Sequence, residues 1–539
     1  MTTFNLADIF ESVADVLGER TAIVCGDERR TFAELDERTN RLGHALAEAG
    51  IEPGDHVGIY LQNSVEFVES AMALFKIRAV PVNVNYRYVE DELRYLFNDA
   101  DLAGVIFHRE FADRIAAVEG DCVKLQLKVV VDDDSALDAG AAIEYEALLA
   151  KGSPEREFPA RSEDDIHIIY TGGTTGMPKG VMWRHKDIFY GLLQGGNPMV
   201  GVVETAGEVA EQAKDAYPIV SMAAAPLIHG AAQASTLIGL HSGWTSVLQP
   251  RFNADEIPEL IERETIGMLS LVGDAMGAPI ATALEHNATL GESARDISSV
   301  FTLTSAGAIF SEPCKRRFKA LLPNAIMIDA YGSTETGNPG RGADPEQSSF
   351  GDGLVFDMAP NTVVLSDDLK PVELGSGERG VVARCGHIPL GYYGDPEKTA
   401  KTFVEIAGER YVLSGDIASV EADGRVQLFG RESVCINTGG EKVFVEEVEN
   451  TLKAHDAVYD AVVVGVADPT WGKRVVALVS LDAGASVADA ELVEFARGHI
   501  AGYKVPKQIF FVDEVFRGPN GKADYKLSTQ TAEELIAGV

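Results

Sequence analysis

Helix-like and strand-like hydrophobic patterns alternate along the first part of the chain. Apolar residues at near-helical spacing predict a helix over 32–49, a strand-like run follows at 55–61, and the pair repeats at 64–77 and 79–84. Further strand-like runs follow at 105–107, 127–131 and 166–170. Alternation of this kind is typical of parallel β-α-β units, so we expect an α/β fold built on a parallel sheet.

The pattern changes close to residue 430. A strand-like segment ends there in a polar joint at 431–433. The elements beyond it are, in order, a helix at 446–454, β runs at 461–466 and 475–481, and a helix at 488–499. This order predicts a small α+β domain over 434–539 that follows a large body over 1–430. An active site is then expected where the two domains meet.

The charge balance limits the classes of partner. The 539 residues include 46 Lys and Arg against 83 Asp and Glu, which gives a net charge of −37. Such a surface repels nucleic acid and anionic lipid, so we exclude both as partners. Small anions can still bind where positive charge and backbone N–H groups gather, because salt screens distant charges over about 8 Å.

The cysteine pattern and the apolar segments predict a cytoplasmic protein without stable membrane insertion. The five cysteines are scattered and form neither a CxxC pair nor a cluster with histidines, which is typical of a reducing compartment. No basic region followed by an apolar run is present at the start, so a signal peptide is not expected. The uncharged stretch at 221–250 contains Pro226, two histidines and several hydroxyl side chains, so we interpret it as protein interior.

A loop rich in glycine and threonine at 170–180 directly follows a predicted strand. Glycines let the backbone aim N–H groups at phosphate oxygens, while threonine hydroxyls and Lys179 add donors and positive charge. The spacing differs from the common NTPase P-loop, because Pro178 precedes the lysine and Gly180 follows it where Ser or Thr is required. A flexible surface turn is the alternative interpretation of this composition.

The loop resembles the phosphate loop of the adenylate-forming superfamily, which unites acyl-CoA synthetases, peptide-synthetase adenylation domains and firefly-type luciferases. Further motifs of that superfamily follow in the expected order along nearly the whole chain. The resemblance implies a large multi-sheet N-terminal domain and a small mobile C-terminal domain. It also implies a reaction in which ATP and a carboxylic acid form acyl-AMP before the acyl group passes to a thiol.

Three segments resemble the nucleotide site of that family. The resemblance implies that Tyr331 stacks on adenine, that Thr334 contacts phosphate and that Glu335 holds Mg²⁺. Without the resemblance, Glu335 would be interpreted as a solvated surface charge. The nucleotide-binding residues implied in these segments are Thr171, Gly172, Gly173, Thr174, Thr175, Lys179, Ser305, Ala306, Gly307, Ala308, Asp329, Ala330, Tyr331, Gly332 and Ser333.

Asp416, Arg431 and Lys522 match three further family motifs, of which Arg431 lies at the predicted hinge and Lys522 in the C-terminal domain. Asp416 matches the ribose motif, where a carboxylate accepts hydrogen bonds from both ribose hydroxyls, and Arg431 is expected to contact ribose or phosphate. Lys522 resembles the catalytic lysine, whose positive charge would relieve the repulsion between the acyl carboxylate and the α-phosphate. In isolation, a turn aspartate and an exposed lysine would be the ordinary interpretations.

Two segments resemble the acyl and thiol sites of the family. His229 matches the residue that gates the carboxylate end of the acyl pocket, although a histidine in an apolar stretch is more often a satisfied core residue. Gly439 and Gly440 match the loop that lines the pantetheine tunnel, where missing side chains let a narrow thiol arm pass. The residues with an implied catalytic role are His229, Thr334, Glu335 and Lys522, and the implied cofactors are ATP, Mg²⁺ and CoA.

The expected acid is bulky or long. Segments at 84–96, 180–185 and 501–506 resemble actinobacterial fatty-acyl-CoA-synthetase-like enzymes that activate steroid side chains. The small residues Gly230, Ala231, Ala232 and Ala234, next to His229, leave room for a wide ligand, so we expect a steroid- or terpenoid-like acid or a long-chain acid.

Three positions depart from the family pattern. Ser433 stands where many relatives carry Asp or Lys, Val445 replaces a frequent proline, and Gly518 replaces the usual Ser or Thr near Lys522. The last two belong to the domain that delivers Lys522, so the two half-reactions need not be balanced.

Several alternatives stay open at this point. The enzyme could be specialised for one half-reaction, or it could pass the acyl group to a carrier protein, since no docking surface is identified. A non-catalytic acyl-nucleotide-binding protein is disfavoured because Lys179, Glu335, Asp416, Arg431 and Lys522 are all retained. A luciferase-like oxygenase has the least support. The exact acid, the pathway and the formation of a homodimer are left open.

Overall fold

The computed structural model describes residues 2–173, 176–308, 310–342, 354–431, 434–438, 441–468, 471–518 and 521–538. It contains a large multi-sheet N-terminal α/β domain and a small C-terminal α+β domain, which confirms the predicted fold class.

The N-terminal domain is built from strands and helices that alternate through most of its length. Its strands are β1 (Thr21–Cys25), β2 (Glu28–Thr31), β3 (His56–Tyr60), β4 (Val80–Asn83), β5 (Leu102–His108), β6 (Leu127–Val131), β7 (Ile143–Glu144), β8 (Ile166–Gly173), β9 (Gly176–Arg184), β10 (Val220–Ala223), β11 (Thr245–Leu248), β12 (Met268–Leu271), β13 (Thr302–Ala306), β14 (Ile326–Ser333), β15 (Gly337–Gly342), β16 (Leu354–Met358), β17 (Thr362–Leu365), β18 (Arg379–Arg384), β19 (Gly391–Tyr392), β20 (Phe403–Ile406), β21 (Glu409–Val420) and β22 (Val426–Arg431). Its helices are α1 (Leu6–Leu17), α2 (Phe32–Glu48), α3 (Val65–Lys76), α4 (Glu90–Asp99), α5 (Ala112–Val118), α6 (Tyr145–Leu149), α7 (His185–Gly191), α8 (Gly207–Asp215), α9 (Gly230–His241), α10 (Ile257–Glu264), α11 (Gly273–Thr289), α12 (Glu312–Leu321) and α13 (Pro396–Thr402).

The first predicted β-α-β units form one sheet of the N-terminal domain. Strands β4, β3, β5 and β6 lie side by side in parallel, and β8 pairs in parallel with β4, as the alternating pattern predicts. Helix α2 begins at a capping box formed by Thr31 and Glu34, and α3 begins where Ser64 accepts a backbone N–H. The predicted helices and strands of this region are therefore confirmed.

A second sheet, 14-stranded among the described residues, crosses the N-terminal domain. One half of this sheet is parallel, with neighbouring strands in the order β1, β11, β10, β12, β13 and β14. Beyond β14 each strand pairs antiparallel with the next, in the order β15, β16, β22, β21, β18 and β17. The ends of β13 and β14 therefore lie where a parallel half meets an antiparallel half. Ligands commonly bind where strand order or direction changes in an open α/β sheet.

The uncharged stretch at 221–250 lies inside the protein. It forms most of β10, all of α9 and all of β11, and most of its apolar side chains are buried. No helix within the described ranges is both long and apolar enough to cross a bilayer. The interpretation of this stretch as protein interior is confirmed.

The C-terminal domain has its own three-stranded sheet with helices on both faces. Its elements are β23 (Ile436–Thr438), β24 (Glu441–Val443), α14 (Val445–Lys453), β25 (Val458–Asp468), β26 (Gly472–Leu481), α15 (Asp489–Arg497), β27 (Gln508–Phe511) and α16 (Tyr525–Ala537). Helices α14 and α15 cover one face of β25 and β26, and α16 covers the other. The predicted helices and β runs are present. The hinge at 431–433 stays a prediction, because residues 432 and 433 lie outside the described ranges.

Candidate active site between the two domains

Tyr331, Asp416 and Arg431 form a hydrogen-bonded triad at the junction of the two halves of the larger sheet. The Tyr331 hydroxyl donates to Asp416 Oδ2 at 2.6 Å, and Arg431 Nε donates to Asp416 Oδ1 at 3.1 Å. The strands fix this arrangement, because Asp416 on β21 lies directly opposite Arg431 on β22. Burial, followed by the Asp416 charge, raises the pKa of Tyr331 well above its ordinary value, so the phenol stays a neutral donor.

Glu335 and Thr334 follow the end of β14 and lie beside the triad. The Tyr392 hydroxyl donates to Glu335 Oε1 at 3.0 Å, and the Glu335 charge, after that of Asp416, helps to raise the pKa of Arg431. A Cβ placed on Gly230 would lie 3.2 Å from Thr334 Oγ1. The absence of a side chain on Gly230 therefore lets the start of α9 approach the Thr334 hydroxyl closely.

Lys522 reaches this cleft from the C-terminal domain. Burial, followed by the positive charge of Arg431, lowers the pKa of Lys522, whereas the carboxylates of Glu335 and Asp416 oppose the shift. The charges of four residues that the sequence analysis placed at one site therefore act on one another across the domain junction. This observation connects the C-terminal domain with the N-terminal cleft.

His229 lies at the other side of the same cleft, immediately before α9. Its Nε2 atom is buried and has no hydrogen-bond partner among the described residues. Burial, followed by the charges of Arg87 and Lys522, lowers the pKa of His229 to about 4, so the imidazole is neutral at pH 7. A neutral imidazole whose Nε2 carries the proton can donate a hydrogen bond to a ligand oxygen.

A tight glycine turn presents Lys522. Gly518 N–H donates to Lys522 O at 2.7 Å, and Gly521 N–H donates to Gly518 O at 2.9 Å. Gly521 has φ +74°, and a Cβ there would lie 2.8 Å from Ala275 Cβ of the N-terminal domain. Glycine suits position 521 for two reasons: its positive φ is rarely adopted by other residues, and a side chain there would collide with the N-terminal domain. Gly518, one of the departures from the family pattern, belongs to this turn.

A network of buried charged side chains hydrogen-bonds to this turn and holds it in place. Arg517 donates to both Asp460 oxygens, at 2.6 and 2.7 Å, and also to Gly521 O at 3.0 Å. Next to it, Lys453 Nζ donates to Asp274 Oδ2 at 3.0 Å, which joins the C-terminal domain to the first turn of α11. The two side chains of this interdomain pair are only 4% and 13% exposed. The network therefore links the position of Lys522 to a contact between domains.

Sequence reasoning missed this interdomain pair. The available signal was the predicted helix at 446–454, on which Glu449 and Lys453 lie four residues apart and belong to the face that carries the apolar residues. Charged residues are rarely buried unless they are paired. Their partners could not be identified from the sequence, because Asp274 lies 179 residues away from Lys453.

Other predicted ligand-binding residues have partners within the N-terminal domain. Lys179 Nζ lies 3.3 Å from Asp99 Oδ1, and Asp329 Oδ2 lies 2.5 Å from Lys315 Nζ. Ser305 Oγ accepts a backbone N–H from the start of α11 at 3.0 Å. Their nucleotide contacts stay predictions.

The two predicted adenine-side segments are adjacent. Strands β13 and β14 pair in parallel with Ala306 opposite Ala330, which brings the turn with Gly307 and Ala308 next to the end of β14. A Cβ on Gly332 would lie 1.9 Å from a backbone carbonyl oxygen, so only glycine fits there. The backbone N–H of Ser333 donates to the Thr336 hydroxyl at 2.9 Å.

Some predicted positions lie outside the described residues, and a second departure, Val445, can be located. Val445 begins α14 and is buried in the C-terminal core, so the departure from proline adds an apolar core residue. The predicted positions outside the described ranges are Thr174, Thr175, Ser433, Gly439 and Gly440.

Glu446 gives a pH-dependent prediction for the C-terminal domain. Its side chain packs against Gly430, and burial, followed by the Glu449 charge, raises its pKa to about 8. Between about pH 4.5, where an unfolded glutamate titrates, and pH 8 the folded chain binds more protons, so this group lowers stability as pH rises. We expect the melting temperature of Glu446→Gln, relative to wild type, to increase from pH 5 to pH 8.

Thermal unfolding of both proteins across pH 5–9 measures this difference. Glu533→Gln makes the same change at an exposed position of α16 and should run parallel to wild type at every pH. A Glu446→Gln curve that also runs parallel to wild type would contradict the assignment.

Comparisons with known proteins agree with this geometry. The family model described as AMP-binding enzyme matches residues 10–393, and that of the AMP-binding enzyme C-terminal domain matches residues 447–522. A 3-oxocholest-4-en-26-oate–CoA ligase from Rhodococcus rhodochrous is 46% identical, over 97% of this chain and 95% of the relative. A medium/long-chain-fatty-acid–CoA/3-oxocholest-4-en-26-oate–CoA ligase from Mycobacterium tuberculosis is 44% identical, over 98% of this chain and 96% of the relative.

Solved structures share the fold. The anthranilate CoA ligase AuaEII in complex with anthranoyl-AMP superposes with a TM-score of 0.84 at 23% identity and covers 100% of this chain and 99% of that one. ATP-bound MatB from Rhodopseudomonas palustris superposes with a TM-score of 0.82 at 24% identity and covers 99% of each chain.

Proposed function

Because this chain belongs to the AMP-binding enzyme family, we propose that it is an AMP-forming acyl-CoA synthetase that activates a bulky or long-chain carboxylic acid. The observation that carries the proposal is the position of Lys522, whose charge acts on Arg431, Glu335 and Asp416 across the domain junction. A cation held in the same cleft as the nucleotide-site residues is what the attack of one anion on another requires.

In the first half-reaction, a carboxylate oxygen of the acid attacks the α-phosphorus of ATP. The bond from that phosphorus to the bridging oxygen breaks, pyrophosphate leaves and acyl-AMP forms. Lys522 and Arg431 stabilise the charge that builds up between the two anions. Tyr331 and Asp416 orient the nucleoside, and the neutral His229 ring donates a hydrogen bond to the acyl carboxylate.

The carboxylate of Glu335 fits a Mg²⁺ ion. Only its Oε1 is engaged by a hydroxyl donor that the structure records, which leaves lone pairs on a hard oxygen ligand. A bound Mg²⁺ would neutralise part of the phosphate charge.

In the second half-reaction, the CoA thiol attacks the acyl carbonyl, and AMP leaves. Rotation of the C-terminal domain about 431–433 would withdraw Lys522 and present the loop with Gly439 and Gly440 to the same cleft. A carrier protein is the alternative acceptor. Incubation of the acyl-AMP with CoA and with a phosphopantetheinylated carrier protein, followed by product analysis, distinguishes the two.

We propose that the acyl group binds between α9 and the larger sheet. On one face of β12 and β13, Leu269 and Leu303 are fully buried under α10, α11 and α12. On the opposite face, Met268 and Ala306 keep intermediate exposure although α9 covers that face. A space between the helix and the sheet would account for this difference, and the small side chains at 230–232 would widen it at the end near Thr334.

A substrate series tests the class of acid. We expect kcat/KM for a polycyclic or long-chain acid to exceed that for acetate by at least about 100-fold, because each buried methylene contributes about 0.8 kcal/mol. Acyl-AMP and acyl-CoA are quantified by mass spectrometry for acetate, palmitate and a steroid acid. The highest activity on acetate would contradict the proposed class, and the absence of acyl-AMP with every acid would contradict the function itself.

A further inference from the structure

Three hydroxyl side chains form a connected row across the proposed acyl space. Ser235 Oγ on α9 lies 3.3 Å from Ser270 Oγ on β12, and Ser270 Oγ lies 2.7 Å from Thr304 Oγ1 on β13. The two strands place Ser270 and Thr304 directly opposite each other. We call these three residues the hydroxyl row.

The hydroxyl row faces the space rather than the packed core. Ser235, Ser270 and Thr304 all keep intermediate exposure, while Leu269 and Leu303, their neighbours on the opposite face, are fully buried. Polar groups on an otherwise apolar wall are costly unless they have hydrogen-bond partners. The two contacts within the row satisfy part of this requirement, and a ligand oxygen can satisfy the rest.

One hydroxyl hydrogen of the row is available to donate a hydrogen bond to a ligand. Three hydroxyls carry three donor hydrogens, and the two contacts within the row use two of them. The described part of the chain provides no further hydrogen-bond partner for these hydroxyls. One hydrogen is thus left to donate to an oxygen in the space, and each hydroxyl can rotate so that either end of the row donates.

The fold sets the depth of the row below the reaction centre. Ser235 lies five residues after Gly230, which is about 7.5 Å along the helix, and Gly230 adjoins the Thr334 hydroxyl. Thr304 lies two residues before Ala306, which is about 6.6 Å along the strand. Gly230 adjoins Thr334 and Ala306 pairs with Ala330 on β14, so we take these two positions as the carboxylate end, which puts the row about 7 Å from it.

We propose that the hydroxyl row binds an oxygen substituent of the acid, a ketone or a hydroxyl, that lies about 7 Å from the carboxyl carbon. This inference rests on the proposed function and narrows its substrate class to oxygenated acids. A hydrocarbon at this depth would displace water from the row and leave its hydrogen without an acceptor, which should weaken binding by about tenfold.

Matched pairs of acids test the inference. Each pair shares a skeleton and differs only in a ketone at the required depth, and the smallest pair is 3-(4-oxocyclohexyl)propanoate and 3-cyclohexylpropanoate. We expect wild type to form the acyl-AMP of the oxo acid with about tenfold higher kcat/KM, measured by pyrophosphate–ATP exchange. Thr304→Val and Ser270→Ala should reduce this preference to within about twofold, mainly by improving turnover of the acid without oxygen.

The control is Ser221→Ala on the same face of the sheet. Ser221 Oγ donates to Thr245 O at 3.5 Å and lies outside the row, so this variant should keep the wild-type preference. Equal kcat/KM for both members of each pair in wild type would overturn the inference while the function stands. Equal losses on both acids in the row variants, with lower melting temperatures, would also overturn it. Failure to form acyl-AMP from any acid, including the long-chain and steroid acids, would instead reject the proposed function.

Discussion

Replacement of Lys522 by alanine should lower pyrophosphate–ATP exchange by about 10²- to 10³-fold. The charge of this lysine acts in the cleft with those of Glu335, Asp416 and Arg431. Its loss leaves the attacking carboxylate and the α-phosphate to repel each other. Formation of the thioester from supplied acyl-AMP and CoA should change by less than about fivefold, because that step does not bring two anions together.

The two assays together separate catalysis from folding. Lys526→Ala removes an exposed lysine nearby and should leave both rates at the wild-type level. If Lys522→Ala slows both half-reactions equally, the lysine acts through the fold. Full exchange activity in Lys522→Ala would favour the alternative of a non-catalytic acyl-nucleotide-binding protein.

Asp274→Asn should lower the same exchange by about 10- to 100-fold. The substitution leaves Lys453, which is 4% exposed, without its carboxylate partner in the closed arrangement of the two domains. Loss of one member of a buried ion pair is strongly destabilising, and movement of the C-terminal domain relieves the cost by hydrating the lysine. The arrangement that delivers Lys522 becomes less populated, while thioester formation from supplied acyl-AMP stays near the wild-type rate.

Glu285→Gln is the matched control for Asp274→Asn. It makes the same chemical change on α11, but its partner is Arg317 at 2.7 Å, within the N-terminal domain. Exchange should stay within about twofold of wild type. A second substitution, Lys453→Met, should restore part of the activity of Asp274→Asn because it removes the uncompensated charge. No recovery in the double variant would show that Asp274 acts by another route.

The fold was predictable to the extent that hydrophobic periodicity determines it. The early β-α-β units, the interior position of 221–250 and the order of elements in the C-terminal domain all follow from local pattern. The joining of β14, through β15 and β16, to β22 was not predictable, because it depends on antiparallel pairings such as Leu354 with Leu428 that are far apart in sequence. That joining is what brings Asp416 and Arg431 beside Tyr331.

Sequence motifs named several residues that the structure brings together, and their ligand-binding roles stay predictions. Glu335, Asp416, Arg431 and Lys522 were named from motifs, and the structure places their charges within reach of one another. The hydroxyl row left no comparable signal, since isolated serines and threonines in β runs are common. The row forms only because the strand register sets Ser270 opposite Thr304 and because α9 packs above them.

The end of β22 has a consequence for the fate of the intermediate. The chain leaves the sheet at Arg431, a residue that is both paired in the strand ladder and bonded to Asp416. If the proposed swing of the C-terminal domain begins just after this anchored residue, it would leave Tyr331, Asp416 and Arg431 in place. The nucleoside part of the adenylate would then be retained through the swing, and the activated acyl group would not need to dissociate into water, where it would hydrolyse.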